Sequence, residues 1–233
     1  MNERIKVIKL GFVNVFLVGV GDGFVLIDTG VAQQWKKVET ELTSAGCLPD
    51  KLKLVVITHG DFDHTGNGAK LQEKYKAKIA MHPADSFMVE NGVQMNRKIR
   101  TLSARIILLL GKWLNRNASF EKFRPDIFLT DGQSMEPYGL DARIIHVPGH
   151  TKGSIAILTH EGDLFIGDIL FNTRKPDIAP FIDDFEDMKK SVDKLRELKI
   201  RMIYPGHGKP FSGDVISKIS MQAIQLAVAA DRG

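Results

Sequence analysis

The chain has 233 residues, 43% hydrophobic and 26% charged, with 32 Lys or Arg against 28 Asp or Glu for a formal net charge of +4. That is globular composition, and the length supports a single domain with a sizeable core rather than a disordered or fibrous chain. One cysteine, Cys47, excludes a disulfide framework and any Cys-cluster metal site; between Gly46 and Leu48 it reads as a small apolar loop residue of a cytoplasmic protein.

The N-terminal residues lack the apolar core of a signal peptide, and no apolar run is longer than residues 106–110, so no transmembrane segment is expected. The small net charge conceals a skew. Residues 95–124 hold eight basic side chains (Arg97, Lys98, Arg100, Arg105, Lys112, Arg116, Lys122 and Arg124) against one acid, Glu121, which makes that window +7 and the rest of the chain −3.

In chain order, residues 5–10, 13–18 and 24–27 are β-branched or aromatic runs separated by Gly11 and by Gly21-Asp22-Gly23, which predicts a strand meander. Residues 33–45 carry Trp35, Val38 and Leu42 at helical spacing. A buried strand over 52–58, a loop over 59–67 and a helix over 69–75 follow, then a strand over 79–81. Met95, Ile99, Leu102, Ile106, Leu109, Leu110 and Trp113 recur at steps of three and four, which predicts a long amphipathic helix over 95–116. At 100° per residue its apolar positions fall mostly within about 60° of Ile99 and its basic ones at about 100° or more. Strands over 142–147, 154–158 and 164–166, a helix over 188–198, a strand over 201–203 and a last helix over 214–230 complete the reading. Strands and helices mix without strict βαβ alternation, so the expected class is α+β, a helix-covered pair of sheets.

The chemistry is concentrated in Thr58-His59-Gly60-Asp61-Phe62-Asp63-His64-Thr65-Gly66-Asn67, where four metal-ligand side chains lie within six residues just after a buried strand. Three further ligands stand in glycine turns at the ends of predicted strands: His150 after Gly149, Asp168 after Gly167, and His207 after Gly206. A lone Gly-His is usually a turn with a solvated imidazole; four such loops in one chain point to a metal centre.

The order and context of these motifs resemble the metallo-β-lactamase fold superfamily, with its His-x-His-x-Asp-His followed by His, Asp or Cys, and His. The resemblance runs from Asn14 to His207. It implies a four-layer αβ/βα sandwich, one metal site from His59, Asp61 and His150, a second from Asp63, His64 and His207, and Asp168 bridging both. It also makes Asp28 the family's early structural aspartate. The departure is Asp61, where most members have histidine. Two divalent ions, three ligand carboxylates and one hydroxide sum to zero, which acidifies water less and moves preference from zinc, the first expectation, toward iron or manganese. His146 is expected beside the ligands rather than among them, His82 at a strand end, and His160 on the surface.

The activity implied is hydrolysis of a small ester, lactone, thioester or phosphoester, anionic or acyl in character, by a metal-bound hydroxide that Asp63 and Asp168 orient. The segment 84–124 is expected as a helical insertion serving as lid or substrate wall. No helical C-terminal module resembling that of glyoxalase II, no flavodoxin segment and none of the extensions of the family's nucleases is expected. A non-haem iron oxidoreductase resembling persulfide dioxygenases, and a binding module using the basic helix, stay open as alternatives. No nucleic-acid partner is expected, and a homodimer stays open.

Overall fold

A computed structural model describes residues 4–94, 98–99 and 121–220. Two mixed sheets form its centre. The first has six strands in the order β1 (Ile5–Leu10), β2 (Val13–Val20), β3 (Gly23–Ile27), β4 (Leu52–Val56), β5 (Ile79–Met81) and, at its edge, Ile127–Phe128. The second is formed by Phe211–Ser212, Met202–Pro205, Asp163–Gly167, Ile155–Thr159 and Ala142–His146, in that spatial order. Two short ribbons complete the strands, Leu170–Phe171 with Asp177–Ile178 and Phe181–Ile182 with Lys98–Ile99.

The side-chain period of two explains the layers. Along β2, Val13, Val15 and Leu17 enter the core beneath helices α1 (Trp35–Ser44) and α3 (Gly68–Tyr75), which bury Trp35, Val38 and Leu42, and Leu71 and Tyr75. The alternate residues Phe16, Val18 and Val20 face the second sheet. Likewise Phe165 faces the first sheet, while Leu164 and Ile166 pack beneath α5 (Phe185–Arg196) through Met188, Val192 and Leu195. Helix, sheet, sheet and helix make the expected sandwich. Because both faces of each sheet are covered, the strands read as nearly continuous apolar runs.

Between the sheets Phe16, Phe165 and Tyr204 form an aromatic cluster with ring centroids 5.0 to 5.8 Å apart. Such pairs contribute about 0.5–1.5 kcal/mol beyond area burial. Phe165 and Tyr204 lie on the two strands that lead into Asp168 and His207, so the same packing fixes the spacing of those turns.

The helix expected over 95–116 lies outside the described residues except at Lys98–Ile99, and there the backbone is a strand paired with Phe181–Ile182 instead of a helix. The last helix is also corrected. Residues 213–218 form a 3₁₀ segment that Ser212 starts by accepting from the Asp214 N–H, and the chain is extended again at Ile219; residues 221–233 lie outside the described part. No helix among the described residues is long and apolar enough to cross a membrane.

Candidate metal centre

The parallel pairing of β3 with β4 brings the residues after each strand together. Asp28 follows β3 with φ of 61°, a left-handed conformation that Asp tolerates better than most residues. Its buried carboxylate accepts from the Thr58 N–H at 2.8 Å, the Thr58 hydroxyl at 2.8 Å and His64 Nδ1 at 2.8 Å. The Thr58 hydroxyl, having donated its proton to Asp28, presents a lone pair 3.0 Å from His59 Nδ1. One carboxylate therefore orients two imidazoles, directly and through a hydroxyl.

Beyond Gly60 the chain does not stay extended. Asp61 starts a short helical turn, α2 (Phe62–Thr65), with its backbone carbonyl accepting from the His64 and Thr65 N–H groups at 2.9 Å. Its side chain makes no cap to that turn; it lies 3.4 Å from His59 Nε2 and 3.1 Å from His150 Nε2. The turn carries Asp63 and His64 toward the other side of the cluster.

The three distributed residues arrive from the second sheet. His150 Nδ1 donates to the Phe181 carbonyl and His207 Nδ1 to the Phe12 carbonyl, both at 2.7 Å. A carbonyl can only accept, so Nδ1 carries the proton in each ring and Nε2 faces the cluster. Asp168 lies 3.3 Å from His64 Nε2, 3.1 Å from His207 Nε2 and 3.7 Å from His150 Nε2. Asp63 is 3.4 Å from His207 Nε2. A Cβ on Gly206 would collide with the Asp168 carboxylate and the His64 ring, so only glycine lets the last turn close on the cluster.

The structure thus brings together all seven residues singled out in the sequence. Their donor atoms form three groups, His59 with Asp61 and His150, His59 with His64 and Asp168, and Asp63 with His64 and His207, each spanning no more than 4.8 Å. All seven are buried. His59 Nε2, His64 Nε2 and Asp168 Oδ1 are buried without a hydrogen-bond partner. Orphaned atoms of this kind carry a desolvation cost of about 1–3 kcal/mol each. A cation held among imidazole nitrogens and carboxylate oxygens would satisfy all three, and the donor set suits zinc, iron or manganese.

The electrostatics run the same way. Burial pulls His64 and His207 down, but Asp168 and Asp63, joined at His64 by Asp28, outweigh it, leaving His64 well above the ordinary range and His207 at about 10. Burial raises Asp168 and Asp63, and the facing imidazoles His207 and His64 more than reverse that, holding both carboxyls low. His59 is depressed by burial and by His64.

The remaining histidines lie apart. His146 stacks on His82 with ring centroids 4.1 Å apart, its Nε2 is bonded to the Lys152 carbonyl, and it joins none of the three donor groups. His82 follows the strand Ile79–Met81 and accepts from the Ala84 N–H, and His160 is exposed. Sequence reasoning missed Thr58, Asn14 and the Phe12 and Phe181 carbonyls. Asn14 alone had a signal, a polar residue inside an apolar strand; its side chain donates to the Pro205 and Gly208 carbonyls on either side of His207.

Comparison with known proteins agrees with this geometry. Residues 8–207 match the family model described as the metallo-beta-lactamase superfamily. The chain is 24% identical to the human acyl-coenzyme A thioesterase MBLAC2, over 92% of this chain and 79% of that one. It is 31% identical to the uncharacterized protein Rv2581c of Mycobacterium tuberculosis, over 66% and 68% respectively. Among solved structures it is similar to TTHA1623 in a di-iron-bound form, with a TM-score of 0.70 and 26% identity over 92% of this chain and 98% of that one. The chain belongs to the metallo-β-lactamase superfamily, a superfamily of metal-dependent hydrolases.

Proposed function

We propose that this protein is a dinuclear metal-dependent hydrolase whose substrate is a small acyl thioester. The observation that carries the reading is the convergence of seven buried donor side chains, with His64, His150 and His207 each fixed through Nδ1 so that Nε2 is presented inward. One ion would be held by His59, Asp61 and His150, the other by Asp63, His64 and His207, with Asp168 reaching both. Such ions supply an acidified water as nucleophile and Lewis-acid stabilisation of a developing oxyanion.

The protein's own part is to orient and to exclude. Asp63 and Asp168, held ionised by the facing imidazoles, would serve as acceptors for the protons of such a water. The Nδ1 partners hold the rings in one orientation, so the donor set costs little reorganisation during reaction. For the acyl group, Phe12 stacks on His207 with centroids 5.7 Å apart while 57% exposed, and Phe171 lies 4.3 Å from the same ring. These rings give the centre an apolar rim. The strand Lys98–Ile99 pairs with Phe181–Ile182, the strand whose first carbonyl orients His150, which supports a role in substrate selection for the part of the chain that carries it. The similarity to an acyl-coenzyme A thioesterase supports the thioester class over lactones and phosphoesters.

Zinc is the first expectation, yet two observations favour iron and an oxidoreductase reading. Asp61 gives the donor set a third carboxylate where most members have histidine, and a structurally similar protein is known in a di-iron-bound form. More negative surroundings suit harder ions. Elemental analysis of protein purified without added metal, followed by acyl-thioester hydrolysis and oxygen-consumption assays, tests both readings. Two equivalents of metal with chelator-sensitive thioester cleavage is the expected result; oxygen uptake without cleavage replaces it by the second reading.

A further inference from the structure

Asp85 belongs to none of the donor groups, yet its side chain touches both loops that carry His59, Asp61 and His150. It is 2% exposed, lies in the 3₁₀ turn Pro83–Asp85, and no cation faces it among its described partners. Its Oδ2 accepts from the Gly60 N–H at 2.9 Å and from the Thr151 hydroxyl at 2.7 Å, while Oδ1 accepts from the Gly153 N–H at 2.8 Å. Gly60 sits between His59 and Asp61, and Thr151 follows His150. The approach is close: a Cβ on Gly153 would stand 2.6 Å from the Asp85 carboxylate. A buried carboxylate is costly unless its lone pairs are taken, and here three donors from two loops take them. Gln94 adds a weaker link on the first loop, accepting from the Phe62 N–H at 3.3 Å and donating to the Gly60 carbonyl at 3.4 Å.

We propose that Asp85 is a positioning residue that sets the separation of the Gly60 and Thr151 loops, so that the group His59, Asp61 and His150 depends on it while Asp63, His64 and His207 do not. The proposal rests on the metal reading given above. Asparagine has the same shape but one acceptor oxygen, so in Asp85→Asn an amide N–H must face a backbone N–H or the Thr151 hydroxyl. Outer partners of this kind typically set metal affinity by about 10–100-fold.

The test is titration of the metal-free protein with Zn(II) against a chromophoric chelator, which reads stoichiometry and affinity without activity. In Asp85→Asn one of two equivalents should weaken by about 10–100-fold and the other by less than about threefold. Thr151→Val, which removes one hydrogen bond and keeps the carboxylate, should weaken the same equivalent by about fivefold, and it decides the matter if Asp85→Asn does not fold. In a His207→Ala background the residual equivalent should stay sensitive to Asp85→Asn; in a His150→Ala background it should not. Equal weakening of both equivalents, or of neither, overturns the proposal and leaves the metal reading standing. A wild-type protein that takes up no zinc, iron or manganese overturns the metal reading and the proposal together.

Discussion

The first sheet contributes His59, Asp61, Asp63 and His64 from one continuous loop and helical turn, whereas the second contributes His150, Asp168 and His207 from the ends of three separate strands. The first set is organised locally. Thr29 donates to the His64 carbonyl from both its N–H and its hydroxyl, Asn67 ties the end of the turn to the Thr29 and Val31 carbonyls, and Asp28 takes His64. The second set has no such common loop. Its geometry is inherited from strand register, including the shift between Phe165 and Gly167 that sets Gly167 opposite Pro205 and so places Asp168 beside His207. A concentrated set is robust to changes in the sheets; a distributed one is only as exact as the register behind it.

That contrast can be broken most severely at Asp168, which meets imidazoles from both sets. Asp168→Ala is expected to remove both metal equivalents and lower hydrolysis on the order of 10³-fold, read by metal analysis and initial rates. Next comes Asp28, the brace of the local set. Asp28→Asn keeps a residue that accepts positive φ but disrupts the bonds to Thr58 and His64, and should cost about 2–4 kcal/mol in denaturant unfolding together with about 10–100-fold in metal affinity. Asp28→Ala should lose about 1–2 kcal/mol more from the left-handed backbone.

Acidity sharpens the comparison further. In metal-free protein the raised His207, at about 10, and His64 both gain from being protonated in the fold. Their folded-state values exceed the unfolded value near 6.5, so this stabilisation is complete below pH 6.5 and is lost as pH climbs toward about 10. Metal-free protein should therefore become less stable over that window while metal affinity rises by up to about tenfold per pH unit for each proton expelled. Thermal melts and chelator competition at a series of pH values check both directions; a flat affinity would show that neither imidazole is a ligand. The smallest effect is expected at a half-exposed ion pair outside the donor groups. Lys194 spans α5 to Asp131 at 2.8 Å with both side chains about half exposed, and Lys194→Ala should cost less than about 1 kcal/mol with metal uptake unchanged.

The same contrast governs how much was legible in the sequence. Four ligands in six residues after an apolar run are a local pattern and stood out at once, as did single ligands in glycine turns. The layered fold was legible because the strands alternate into two cores. What failed to show was non-local. Asp85 stands in an ordinary Pro-Ala-Asp turn whose partners lie 25 to 68 residues away, and the Phe12 and Phe181 carbonyls carry no side-chain signature at all. The strand at Lys98–Ile99 was hidden by an apolar spacing that also suits a helix, and strand pairing at the site overrode it.

The tie between Phe12 to Asn14 and residues 205–208 has a consequence for biosynthesis. Asn14 N–H bonds the Gly206 carbonyl, its side chain bonds the Pro205 and Gly208 carbonyls, and the Phe12 carbonyl accepts from His207 Nδ1, contacts that span 191 to 195 residues. A growing chain on the ribosome holds Phe12 and Asn14 long before their partners have been made. The bonds that orient His207 therefore cannot form before residue 208 has been made, and the centre is completed only after nearly all of the described chain has been synthesised.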